Sequence, residues 1–158
     1  MPILAKNRRA KFDYNILEEF EAGIELLGPE VKSVRSGQVS LKGSYVVIQA
    51  TGPQKKLEAW LLNCNISAYK FAGKNFIKTY DPNRSRKLLL HKKEINYLAG
   101  KQKEKGLTLI PLLLYTSGRK IKVKVGIGQG KRQTDKRNTI QKREDERRMG
   151  RALRGKME

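Results

Sequence analysis

Histidine, cysteine and paired acids supply most catalytic and metal-binding chemistry, and this chain arranges few of them usefully. It has one histidine, His91, and one cysteine, Cys64, so a Cys/His metal cluster cannot form. Cys64 lies in "WLLNCNI", where a small buried hydrophobe is the natural reading, and the distant His91 offers it no activating base. The acids of "LEEFEAGIE" raise the idea of a general-acid pair or a magnesium site. Carboxylates alternating with Phe20 and Ile24 are, however, ordinary patterning of a half-solvated strand. "GIGQGKR" spaces its glycines wrongly for a phosphate loop and ends in Arg132. No catalytic residue, metal or cofactor is expected, and the chain reads as non-enzymatic.

The chemistry that remains is cationic. Among 158 residues, 35 Lys and Arg face 15 Asp and Glu, a formal net charge of +20. Such an excess goes beyond what solubility asks of a small domain and points to a polyanionic partner. The longest apolar run, "LIPLLLY", is too short to span a membrane and is broken by Pro111. The N-terminus lacks a signal-peptide pattern, and a single cysteine suits a reducing compartment, so the expectation is cytoplasmic with no membrane partner. Nucleic acid is the favoured partner. Contact with about six RNA phosphates gives a log-affinity against log-salt slope of roughly −4 to −5. Cations stand at Arg86 and Lys87, on one face of a strand at Lys120, Lys122 and Lys124, and through the last thirty residues.

These groups need elements to position them. Residues 1–128 carry 24 basic and 10 acidic side chains, and residues 129–158 carry 11 and 5. A domain boundary is expected inside "GIGQG", where three glycines loosen the backbone. "FDYNILEEFEAGIELLG" is expected as one long strand with a bulge or bend at Gly23. "GPEVKSVRSG" reads as a short helix with Pro29 at its start and Gly37 at its end. "SYVVIQA" and "LEAWLLNCNI" form a hairpin, and a second helix covers about Lys92 to Lys105 with Ile95, Leu98 and Ala99 inward. "LTLIPLLLY" and "KIKVKVGIG" form the last hairpin. There Ile121, Val123, Val125 and Ile127 share one face and the three lysines the other. Pro111 marks an edge position or bulge. The fold class is mainly β: a small closed or partly open barrel with two or three peripheral helices, of which the oligonucleotide-binding type is one case that periodicity alone does not separate from other small all-β folds. The tail cannot bury enough apolar surface to order itself, so it is expected to be disordered when free and helical against an anionic partner.

The motifs "NRRAKFDY", "EEFEAGIELLGPEVKSVRSG", "DPNRSRKLLLH" and "YTSGRKIKVKVGIGQGKR", followed by "DKR", resemble those of the SsrA-binding protein (SmpB) family. The resemblance runs from about Asn7 through the tail. It implies an oligonucleotide-binding-type barrel over 1–128 that holds the tRNA-like domain of transfer-messenger RNA (tmRNA), one protein per RNA. It also implies delivery to stalled ribosomes together with elongation factor Tu. By the same resemblance, Glu21, Leu89 and His91 belong to the RNA face. Residues 129–158 would enter the empty mRNA channel, with Gly130, Lys131, Arg132, Asp135, Lys136 and Arg137 at the decoding centre of the small-subunit rRNA. Thr134 departs from the histidine common at that position in the family.

Overall fold

The structure, a computed structural model, describes residues 2–131 and 133–157. Of residues 133–135, 139 and 152–157 it describes the backbone alone. In chain order the elements are β1 (Ile3–Lys6), α1 (Ala10–Asp13), β2 (Tyr14–Ile24), α2 (Gly28–Arg35), β3 (Val39–Ser40), β4 (Tyr45–Thr51) and β5 (Lys56–Leu62). There follow β6 (Asn65–Ile66), α3 (Lys74–Thr79), β7 (Arg86–Leu89), α4 (Lys92–Lys103), β8 (Leu107–Ser117), β9 (Lys120–Gly130) and α5 (Gln133–Met157).

The sheet order β1-β8-β4-β5-β7-β2-β9, with β9 returning to β8, closes a mainly antiparallel barrel. β1 lies outside the ring against the second half of β8. The last hairpin follows its period-two pattern: Val123, Val125 and Ile127 are fully buried and Ile121 nearly so. Each such burial is worth roughly 1.5–3 kcal/mol. They meet Ala22, Ala59, Leu61, Leu88, Leu109 and Leu114 in the interior. α4 packs across β4 and β8. Leu98 is completely buried, and Gln102 closes the contact through its side-chain amide, which accepts from Ile48 N at 2.7 Å and donates to Ile48 O at 3.0 Å.

Several local expectations are corrected. Phe12 and Asp13 belong to α1, so the long strand starts only at Tyr14. Its irregularity falls between Ile16 and Glu18. Gly23 instead marks where β2 passes from β9 to β7, pairing with both Lys122 and Leu89. "LEAWLLNCNI" divides into β5 and β6 because Asn63 takes a left-handed backbone, φ 60°. Of the edge position or bulge expected at Pro111, the bulge is found: register slips between Pro111 and Leu113. Two glycines of "GIGQG", Gly126 and Gly128, are closely packed. A Cβ on Gly126 would stand 2.9 Å from the Leu112 side chain, and one on Gly128 3.0 Å from Tyr14. Gly126 and Gly128 thus permit close strand packing, a Cβ on Gly130 would meet nothing within 4 Å, and β9 runs on through Gly130.

Residues 133–157 form one helix, α5, in a segment expected to be disordered when free and helical against a partner. Glu144, Asp145 and Glu146 stand three or four residues from bases on either side, a spacing that supports helix. Ile140 and Met149 remain exposed on it.

Candidate nucleic-acid interface

Strand β2 organises the site. Facing β9, Glu21 pairs with Lys124 and Gly23 with Lys122, while the alternate residue Ala22 turns inward opposite Val123. Glu19, Glu21 and Gly23 therefore share the barrel's outer face with Lys122 and Lys124. Glu21 sits with one carboxylate oxygen 4.0 Å from Lys122 Nζ and accepts a short hydrogen bond from the Tyr115 hydroxyl on the other. Burial, and then the bond to Glu21, pushes Tyr115 up to about 12, so at neutral pH it is a fixed donor. Half of the Glu21 side chain stays exposed. It retains lone pairs for RNA hydroxyls or base amines, and the adjacent lysine offsets its repulsion of phosphate. Lys124 lies 3.6 Å from Glu19, and both are part-exposed.

Leu89 ends β7 beside Gly23 and is 49% exposed. It separates two grooves. One, about 320 Å³, has Gly23, Ile24 and Val31 in its floor and Arg119, Lys120 and Lys122 at its rim. The other, about 530 Å³, lies between Leu57, Leu90 and Ile95, with Lys87 and Lys92 beside them. Lys87 reaches Glu58 at 3.5 Å. His91 is exposed at the start of α4, where its backbone N–H donates to Glu94 at 3.2 Å. Glu21, Leu89, Lys120, Lys122 and Lys124 thus come together on one surface, with Lys87 and His91 just beyond Leu89. The surface offers an apolar wall for sugar or base edges and ammonium groups for phosphate.

Arg86 must be removed from that surface. It is 0% exposed. Its Nε donates to Glu30 at 2.8 Å, Nη1 to the Cys64 carbonyl at 2.6 Å, and Nη2 to the Tyr80 hydroxyl at 2.8 Å and the Pro82 carbonyl at 3.0 Å. Glu30, also buried, takes a second guanidinium from Arg84 and accepts from Leu27 N at the start of α2 at 2.8 Å. Burial opposes its charge, but the bonds from Arg84, Leu27 N, Arg86 and Tyr80 outweigh it and hold its carboxyl below the usual range. From sequence Glu30 reads only as a first-turn acid suited to the helix dipole; Tyr80 and Arg84 carry no signal of a joint role.

The tail leaves from the opposite end of β2. Gly130 pairs with Tyr14, and Lys131 N donates to the Asp13 carbonyl at 2.9 Å. Lys131 Nζ donates to the Lys11 carbonyl at 2.8 Å. Lys136 lies 3.3 Å from the Asp13 carboxylate and 5.9 Å above the Phe12 ring. Arg137 is exposed on α5; Asp135 lies in the same helix, and Arg132 falls outside the described residues. From Tyr14 to Gly23, nine steps of about 3.4 Å, β2 spans about 30 Å of strand between the two regions. Among the described residues no cluster of His, Cys, Asp or Glu offers a metal site, and no helix is long and apolar enough to cross a membrane.

Fold and surface together define a small β-barrel of the nucleic-acid-binding kind, with a basic helix appended at the far end of the β2–β9 pair. The SmpB protein family model matches residues 4–155, and the chain belongs to that family. It is 50% identical over 151 residues to the SsrA-binding protein of Gloeothece citriformis, covering 96% of this chain and 92% of that one. With the SsrA-binding protein of Mesoplasma florum it shares 48% identity over 145 residues, 92% of each. A solved chain described under "tmRNA-SmpB: a journey to the center of the bacterial ribosome" superposes with a TM-score of 0.64 at 42% identity. That match covers 89% of this chain and 95% of the other.

Proposed function

We propose that this chain is a non-catalytic RNA-binding factor of trans-translation. It holds the tRNA-like domain of tmRNA on the face built around Glu21, Leu89 and Lys122, and brings that RNA to stalled ribosomes, where it acts in the cytoplasm. Glu21 supplies acceptor oxygens, Leu89 packs against sugar or base, and Lys120, Lys122 and Lys124 neutralise phosphate. The basic tail tests for an empty mRNA channel, with Gly130, Lys131, Arg132, Asp135, Lys136 and Arg137 at the decoding centre. Elongation factor Tu joins the delivery complex. A helix as polar as α5 is marginal alone, so rRNA phosphates stabilise it.

One observation carries the reading: the cationic, half-apolar face and the root of the tail occupy opposite ends of β2. One end can grip while the other reaches. Removing residues 131–158 leaves β9 whole, since that strand ends at Gly130. The shortened protein is expected to bind tmRNA within about threefold of the parent, because surface changes remote from a contact have small effects, yet to lose tagging on stalled ribosomes in a reconstituted translation system. Equal loss of binding and tagging would defeat the division of labour. Loss of neither would remove the tail from the mechanism.

A further inference from the structure

We infer that the segment from Tyr69 to Phe71 is a second RNA contact, a preset platform on which an unpaired nucleobase of the same RNA stacks. This rests on the RNA-binding reading above and extends it to a surface on the other side of α2. Phe71 is 73% exposed. A lone exposed ring is unremarkable on a protein surface, but this one is held in place. It meets Tyr69 edge to face, ring centres 5.5 Å apart at 73°. Tyr69 in turn lies under Lys32 of α2, whose Nζ is 5.4 Å from the ring centre.

The anchoring continues inward. Ala72 N donates to the Tyr69 carbonyl at 3.0 Å, closing a tight turn that presents the Phe71 ring. Beyond it, Phe76 stacks on Tyr80 at 5.0 Å and 20°, and Tyr80 bonds into the buried Glu30–Arg86 cluster. The helix that follows the turn, α3, is thus fastened at Tyr80 to the most buried polar network of the barrel, while the turn itself is held by Tyr69 under Lys32. A ring fixed this way loses little conformational freedom when a base stacks on it.

Charge names the occupant. Residues 65–80 contain Lys70, Lys74 and Lys78 and no acid. Lys70 Nζ lies 4.9 Å from the Phe71 ring centre. An exposed ring with one ammonium group over it, in a segment rich in lysine and free of acid, matches a base attached to its phosphates. Position names the RNA. Val31, on α2, lines the Gly23–Leu89 groove, and Lys32, the next residue, covers Tyr69. One RNA lying in the groove reaches the platform across a single helix about 10 Å wide.

The test uses the full-length chain and tmRNA in which 5-iodouridine replaces uridine. Ultraviolet irradiation followed by mass spectrometry is expected to give a crosslink within residues 69–71. In equilibrium binding, Phe71→Ala and Phe71→Leu are expected to weaken affinity roughly 5- to 100-fold, the range for one lost base stack. Phe71→Trp is expected to bind like the parent. Melting temperatures report the fold of each variant, and an exposed ring leaves them unchanged. Absence of the crosslink, or leucine serving as well as phenylalanine, overturns the platform. If the Phe71 variants bind normally while Leu89→Ala and Lys122→Ala fail, the proposed function stands and the platform alone falls; a protein partner for the ring gives that same result. If the folded parent does not bind tmRNA, both fall.

Discussion

Arg86 and Leu89 stand three residues apart in β7 and face opposite worlds. Arg86 turns inward to a carboxylate, a hydroxyl and three carbonyls, and Leu89 turns outward to a groove rimmed by cations. The inner region is a charged cluster in an apolar interior; the outer is an apolar wall on a charged surface. Both draw on the same two stretches, "EEFEAGIELLGPEVKS" and "DPNRSRKLLLH". Within each, strand phase or helix face decides which residues fix the fold and which remain on the surface proposed for RNA. Arg86 and Leu88 alternate inward while Lys87 and Leu89 alternate outward. The turn that carries Tyr69 and Phe71 leads through α3 to Tyr80 of the inner region, and the groove belongs to the outer.

The largest expected effect separates the two regions directly. Arg86→Met leaves Glu30 buried beside Arg84 and strands the Tyr80 and Cys64 acceptors, and breaking a buried pair costs about 3–5 kcal/mol. Replacing Lys120, Lys122 and Lys124 together by Ala is expected to change stability by less than about 1 kcal/mol. That triple variant should instead lower the slope of log affinity for tmRNA against log salt by about 2 to 3. Urea unfolding and salt-dependent titration of both proteins check the pair. A stable Arg86→Met, or a triple variant with the parent's salt slope, would break the comparison.

The next effect is on pH. The Glu30 carboxyl is held below its ordinary value of 4.5 in the folded chain. Above 4.5 both states are ionised there and the stabilisation is fully present. As pH falls below 4.5 the unfolded chain takes up this proton first, so stability is lost down through the folded-state value. The contribution is at most about 1.4 kcal/mol per pH unit for one proton. Glu30→Gln should remove that part of the slope while lowering stability at neutral pH. Urea midpoints between pH 7 and 3 for parent and variant decide it, and parallel curves would assign acid sensitivity to other groups.

The barrel, the last hairpin, α2 and α4 were legible because their apolar periods and end residues are strong local signals. Val123, Val125 and Ile127 alternate without exception, and Pro29 and Gly37 bracket their helix. The buried cluster was not legible. Glu30, Tyr80, Arg84 and Arg86 are more than fifty residues apart at their extremes and meet only through tertiary packing. An arginine at a strand position carries no mark of the direction it faces until its phase against Leu88 is fixed. The short strands β3 and β6, two residues each, leave no periodic trace. The packing role of Gly126 and Gly128 was not legible for a related reason: flexibility and close approach demand the same residue, and only the neighbours Leu112 and Tyr14 distinguish them. On the outer surface, the three lysines of β9 were legible from alternation, whereas Glu21, Leu89 and His91 entered through family resemblance.

The smallest effect tests the seam between the two regions. Gly23 lies where β2 changes partners, and a Cβ there would stand 3.2 Å from Leu89 Cβ and 3.5 Å from its Cδ1. That is tight by a few tenths of an ångström, and because the nearest atom is Leu89 Cβ the relief is a small backbone shift at the end of β7, where Leu89 is half-exposed. Gly23→Ala also restricts the unfolded chain, a gain of about 0.4–1 kcal/mol that offsets the crowding. Stability should therefore stay within about 0.5 kcal/mol of the parent. The groove is less forgiving, because the added methyl and the displaced Leu89 occupy the wall on which sugar or base would rest. Affinity for tmRNA is expected to fall about threefold to tenfold, in keeping with about 1 kcal/mol for a misplaced apolar contact. The salt slope should not change, since no cation has moved. A melting curve and two titrations at different salt concentrations suffice. Lost stability with unchanged affinity would make Gly23 a strand-packing residue of the inner region, and Leu89 would no longer be a wall of the RNA groove.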